Sequence, residues 1–222
     1  MRWIYRLERR LGRNFGVTNL MMYVSATMLG IYALRLLIMP GLFNLMFFSR
    51  SLIFAGEIWR IFTFALIPPL SGQPLWVLLS LFVTYRIGTS LEYAWGQTRF
   101  TLYVLLGILG AVIAGFVSEV GSNTYVFLSF ILAFCYLHPN ATFLLFFILP
   151  VKARYIAIFN WALYAWAFYQ GNFSQRVAIV FSLINFFIFF GPDVWRTVRQ
   201  NYEVSKRRRN YQKNWGNDNP WR

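Results

Sequence analysis

Between Leu75 and Ala94, and again between Phe100 and Val117, the chain runs for a bilayer's thickness on predominantly apolar side chains, with Arg86 and Glu92 the charges within them. A helix needs roughly 20 such residues to cross the ~30 Å hydrocarbon layer, and it satisfies its own backbone polar groups on the way. Four further apolar runs cover about Val17 to Met39, Asn123 to Leu137, Tyr155 to Tyr169 and Val177 to Phe190. Six spans are therefore predicted. Composition leaves little alternative: 58% of the 222 residues are hydrophobic, 21% are aromatic, and only seven are acidic. A water-soluble domain of this length has too little interior to hide that much apolar surface. The fold expected is an all-α polytopic bundle of six transmembrane helices, residues 17–191.

The ends and one connection depart from this pattern. In residues 1–16, Arg2, Arg6, Arg9, Arg10 and Arg13 are interleaved with Trp3, Ile4, Leu7 and Leu11, which predicts a basic amphipathic helix lying on the membrane surface. Pro40-Gly41 stops the first span. The connection from Gly41 to Pro74 is too hydrophobic for water, yet Gly56, Pro68, Pro69 and Pro74 break it too often for a span. It reads as a partly embedded loop with short helices, whose backbone groups must find protein partners. Gly191-Pro192 is expected to close the sixth span. Residues 192–222 then form a basic tail centred on Lys206-Arg207-Arg208-Arg209, expected to be mobile.

Charge orients the spans. Of the 21 basic residues, Arg50, Arg60 and Arg176 fall in loops on one side and Arg35 and Arg86 within spans. All the others fall on the opposite side, in the two ends and in loops carrying Arg99, Lys152 and Arg154. This bias puts both termini in the cytoplasm, in the cell membrane rather than an internal one. A net charge of +14 is then explained by anionic headgroups, and nucleic acid is not an expected partner. The lone Cys135 can form no internal disulfide and has no neighbours for a metal site.

Trp59-Arg60, set in Gly56-Glu57-Ile58-Trp59-Arg60-Ile61-Phe62-Thr63-Phe64, resembles the Trp-Arg motif in the first loop of rhomboid proteins and derlins. Gly88, Leu91-Glu92, Trp95-Gly96, Arg99-Phe100 and Tyr103 resemble the rhomboid stretch that ends the second span and begins the third. The resemblance covers roughly Gly56 to Gly191 and implies the rhomboid-like six-helix fold. It further implies a nucleophilic serine in Gly-x-Ser-Gly on the fourth span, activated by a histidine on the sixth. Here the fourth span begins Gly121-Ser122-Asn123-Thr124-Tyr125, with tyrosine where the turn needs glycine. The sixth span holds no histidine. The single imidazole, His138, lies at the cytoplasmic end of the fourth span, away from the face on which rhomboid chemistry occurs. A serine hydroxyl without a base is a poor nucleophile, so no enzymatic activity and no catalytic residue are expected. Lys152, Lys206 and Lys213 lie on the wrong side for a Ser–Lys pair. No His/Cys/carboxylate set and no phosphate loop is present, so neither metal nor cofactor is expected.

Several residues still require roles. Arg86 and Glu92 are intramembrane ionisable groups; six residues apart, they point to different helix faces. Glu92 is expected to tie loop or helix ends, and Arg86 to pair inward or snorkel. The resemblance implies that the glutamate braces the first loop, and Glu92, Arg86, Gly88, Trp95 and Gly96 are expected to form a structural network. Gly107, Gly110, Ala111, Ala114 and Gly115 give the third span a small-residue face that lets another helix approach.

The function expected is that of a derlin-like pseudoprotease, which binds transmembrane segments of other membrane proteins without cleaving them. Clients would enter laterally between the second and fifth spans and meet Trp59, Arg60, Phe62, Phe64 and Trp76. The basic tail would engage anionic lipid or a cytosolic partner. Two other classes remain open: an intramembrane serine protease with a non-standard site built on Ser122 or Ser129, and a small-molecule transporter or membrane scaffold.

Overall fold

The structure, a computed structural model, describes residues 16–69, 72–145 and 149–217. The surface helix expected at the N-terminus lies outside the described residues. Helix α1 spans Leu20–Leu37. The first connection is a chain of short elements: α2 (Leu42–Met46), strand β1 (Phe48–Ser49), α3 (Arg50–Phe54), α4 (Arg60–Thr63) and a 3₁₀ turn at Phe64–Leu66. Helices α5 (Pro74–Trp95) and α6 (Gln97–Ser118) follow, then strand β2 (Val120–Gly121) and α7 (Thr124–Leu137). Strands β3 (Thr142–Leu145) and β4 (Leu149–Lys152) pair as an antiparallel hairpin, and α8 (Ala153–Gln170) and α9 (Phe173–Asn217) complete the order.

The chain is a helical membrane protein. Among the described residues, four helices are long and apolar enough to cross a bilayer: Leu20–Leu37, Pro74–Trp95, Gln97–Ser118 and Phe173–Gly191. The fourth expected span, α7, has 14 residues, about 21 Å of helix, short of the hydrocarbon layer. Helix α8 has 18 residues, but its Trp, Tyr, Asn and Arg side chains dilute its apolar character.

The apolar span ends at the expected pair, at Gly191, but the helix does not: α9 continues through Gly191-Pro192 to Asn217. Proline removes one intrahelical hydrogen bond but does not forbid flanking turns in a long helix. The chain divides into two units, one ending at Phe186 and the other beginning at Phe187. In the second, exposed Arg199 donates from Nε to Glu203 Oε1 at 3.2 Å, one helical turn on.

Within the first unit the elements meet at two opposite ends. At one end, Gly16 lies against Gln97 and Thr98, and Asn19 against Glu92. At the other, β1 pairs with β2, Phe48 opposite Gly121, and Ser174 donates to the Ser118 carbonyl at 2.7 Å. The first loop packs at this second end. Tyr32 and Met28 of α1, Phe43 and Met46 of α2, Ile67, and Val77 and Leu81 of α5 form one buried cluster. The loop is thus fixed against two long helices by the aromatic and aliphatic residues that made its sequence too greasy for water.

Candidate functional site

A trough lies along α7. On one side a cavity of about 360 Å³ separates α7 from α5, and Trp76, Ser80, Thr84, Ile87, Phe127 and Ile131 are among its lining residues. On the other side a cavity of about 510 Å³ separates α7 from α8 and the start of α9, lined in part by Ser122, Tyr125, Trp166, Ser174 and Gln175. Thr124 and Leu128 line both. The first half of α7 is therefore a ridge with a predominantly apolar depression on each flank. Ser80 and Thr84 face a wall of aromatic and aliphatic side chains, so the lining offers hydroxyl groups without charge. Lateral access was expected between the second and fifth spans, α5 and α8; each of those helices lines one of the two cavities, with α7 between them.

The five residues expected to meet a client are divided by the structure. Trp59 and Phe62 are 51% and 72% exposed, and Trp76 is 42% exposed in the cavity wall. Trp59 keeps its indole N–H on the Leu45 carbonyl at 3.2 Å. Arg60 and Phe64, in contrast, are buried at 3% and 2%. Arg60 cannot present itself to a client. Its Nε donates to Glu57 at 2.6 Å, and one terminal nitrogen donates to the carbonyls of Asn44 and Phe47 at 2.7 and 2.9 Å. A guanidinium has five donors and no acceptor, so it can serve several loop carbonyls at once. Phe64 stacks edge-on against Phe48, with ring centroids 5.4 Å apart. Half of the Trp-Arg motif faces outward, and half holds the loop together.

The expected network around Glu92 is also different. Glu92 accepts from the Asn19 backbone N–H at 2.6 Å, so it ties the start of α1 to the end of α5. The first loop is braced by Arg60 and Glu57 instead. Asn19 sits in the left-handed region at φ 57°, which asparagine tolerates better than most residues. Gly88 is needed where it is: a Cβ there would collide with the Met21 side chain. Gly96 turns the chain between α5 and α6 at φ 82°, and Trp95 stacks edge-on with Tyr103 at 5.3 Å. Arg86 does not pair inward. It is exposed on α5, with no hydrogen bond or ion pair among the described residues.

The small-residue face of α6 receives more than a helix. Gly107 lies against Asn185 and Val126, and Gly110 lies beside Phe181 of α9. Ala111 and Ala114 are buried. At Gly115, however, the neighbour is the first-loop residue Phe48, whose Cε1 would be 2.5 Å from an added Cβ. Small residues admit a loop aromatic there rather than another helix.

A second set of functional groups was not apparent from the sequence. The Asn123 side chain, just before α7, donates to the carbonyls of Phe64, Ala65 and Ile67 at 3.1, 3.2 and 2.8 Å. It clamps the 3₁₀ turn of the first loop to the start of α7. Deeper in, Tyr103 donates to Ser129 at 3.1 Å. Tyr164 and Ser182 share a 2.9 Å hydrogen bond, and Ser182 donates to the Tyr125 carbonyl at 2.6 Å. Asn160 and Asn185 each donate to a backbone carbonyl, at 3.3 Å. Asn160 with Tyr164, and Ser182 with Asn185, stand one helical turn apart in apolar helices. That spacing is the signal that marks a shared polar face.

Ser122 donates to the Thr124 hydroxyl at 3.1 Å, and Ser129 donates to the Val126 carbonyl at 2.7 Å. His138 follows the other end of α7, with its ring 5.2 Å from that of Phe134. About 21 Å of helix separates it from Ser122. No protein-family model and no curated protein matches the chain.

Proposed function

We propose that this is a six-span, rhomboid-like pseudoprotease of the cell membrane. It binds transmembrane segments of other membrane proteins along α7 and does not cleave them. Both termini face the cytoplasm in this reading. The observation that carries it is the two-sided trough, with cavities of about 360 and 510 Å³ on the two flanks of α7, both lined by Thr124 and Leu128. A depression at mid-membrane depth, apolar over most of its lining and open between α5 and α8, suits a helix arriving from the lipid. The hydroxyls of Ser80 and Thr84 would give a polar client residue a partner that lipid cannot offer.

Length adds to this reading. At 14 residues, α7 is shorter than the ~30 Å hydrocarbon layer, so the bilayer beside it would thin, at a cost of fractions of a kcal/mol per Å. Thinning lowers the cost of holding a client with imperfect hydrophobicity. Binding without cleavage is favoured because Ser122 and the single imidazole flank α7 at opposite ends.

Filling the trough tests the reading. Leu128→Trp and Thr124→Trp should reduce recovery of intact single-span proteins with the tagged protein from native membranes, whereas Tyr93→Ala, at the other end of α5, should not. Unchanged recovery with both trough variants would overturn the assignment.

A further inference from the structure

Glu92 is the buried ionisable group that client binding leaves unused. Only 9% of the residue is exposed, and its Oε2 is buried without a hydrogen-bond partner. An unpartnered carboxylate oxygen in such a place is costly unless a donor reaches it. Its other oxygen already serves Asn19. Glu92 lines a cavity of about 310 Å³ with Asn19, Thr89, Tyr93, Gly96 and Gln97. Every described wall residue is polar or glycine, and no cation among the described residues bonds to the carboxylate.

The cavity lies at the end of α5 opposite the trough, beside the exposed ring of Tyr93 (94%). Tyrosine at the end of a spanning helix marks the headgroup level. One stripe of α5 joins this cavity to Arg86, which has no hydrogen bond or ion pair among the described residues. Arg86, Thr89 and Tyr93 succeed one another at three- and four-residue steps, so they share a face. Arg86 is exposed within the hydrocarbon depth and must direct its guanidinium toward a headgroup. A cation on the stripe and an unpartnered anion in the cavity beside it present the two charges of a zwitterionic headgroup in reverse.

We propose that this end of α5 is a binding site for an ethanolamine phospholipid. The ammonium enters the cavity and donates to the Glu92 carboxylate, while the phosphate meets the Arg86 guanidinium. Charge alone would select anionic lipid, as it does for any basic surface. A buried carboxylate selects against it. Choline is excluded by different chemistry, because its quaternary nitrogen has no N–H to donate. The inference rests on the membrane-spanning reading of α5 and is independent of client binding.

The test is lipid retention by the full-length protein. Purification from vesicles containing equal parts phosphatidylethanolamine, phosphatidylcholine and phosphatidylglycerol with the same acyl chains would be followed by native mass spectrometry. One charge-assisted hydrogen bond corresponds to roughly tenfold preference or more, so the ethanolamine lipid should dominate by about that factor. Glu92→Gln keeps an acceptor for the Asn19 N–H and should bring the ethanolamine lipid to parity with the others. Thr89→Leu, which fills the cavity and leaves Glu92 in place, should do the same. Arg86→Gln should lower retention of all three while leaving their order intact. Equal retention by the unaltered protein would overturn the proposal. So would an order led by phosphatidylglycerol, or an ethanolamine preference that survives both Glu92→Gln and Thr89→Leu.

Discussion

Replacing Arg60 with alanine separates the two roles open to the Trp-Arg motif. The guanidinium is 3% exposed and its partner Glu57 is 30% exposed. Removing one member of a buried ion pair costs about 3–5 kcal/mol, largely from the charge left behind. Because Glu57 keeps some access to water, the lower end applies, about 3 kcal/mol. The carbonyls of Asn44 and Phe47 lose their shared donor as well, adding on the order of 1 kcal/mol. Arg60→Ala should therefore cost about 3–4 kcal/mol, measured as equilibrium unfolding in mixed micelles. Arg60→Lys should fall between, since a single ammonium cannot reproduce the planar fork over three acceptors. Glu57→Gln should be milder, about 1–2 kcal/mol, because an acceptor for Arg60 remains. A loss below about 1 kcal/mol for Arg60→Ala would refute the loop-brace role. Undiminished stability together with lost client recovery would instead make Arg60 a contact residue.

Other expected outcomes follow from the same geometry. Gly115→Leu forces Phe48 from its seat and should cost about 1–3 kcal/mol in the same unfolding assay. Combining it with Phe48→Ala should give less than the sum of the two single losses, because both act on one contact. Tyr103→Phe deletes a buried donor to Ser129 and should cost about 0.6–1 kcal/mol, the usual scale for a hydrogen bond between helices in a membrane. Asn123→Ala releases three loop carbonyls and should raise protease cleavage within residues 64–69, with α5 and α6 left intact.

The long elements were legible because their signals are local. Continuous apolar runs gave α5 and α6 to within a few residues, and the proline and glycine breaks gave the short helices of the first loop. What escaped was tertiary. Arg60 and Phe62 lie in one short motif, yet one is buried and the other exposed, and only the fold decides which. Phe48 seated on Gly115 depends on β1 meeting β2, a pairing of two residues on each side that carries no propensity of its own. Gly191-Pro192 was read as a stop because that dipeptide breaks isolated helices, but α9 has enough regular turns on either side to continue. The polar face of Asn160, Tyr164, Ser182 and Asn185 escaped as well: its three- and four-residue spacing does not name its partners on α6 and α7. At Glu92 the residue was identified and its partner was not: Asn19 replaces the first loop.

Site-specific photocrosslinking in native membranes tests client binding most directly. A photoreactive residue would replace Trp76 on one flank of α7, Trp166 on the other and, as a control, Tyr93 at the far end of α5. The account predicts intact single-span proteins captured from both flanks and not from the control. Capture of lipid alone from both flanks, or of the same proteins from all three positions, would contradict it.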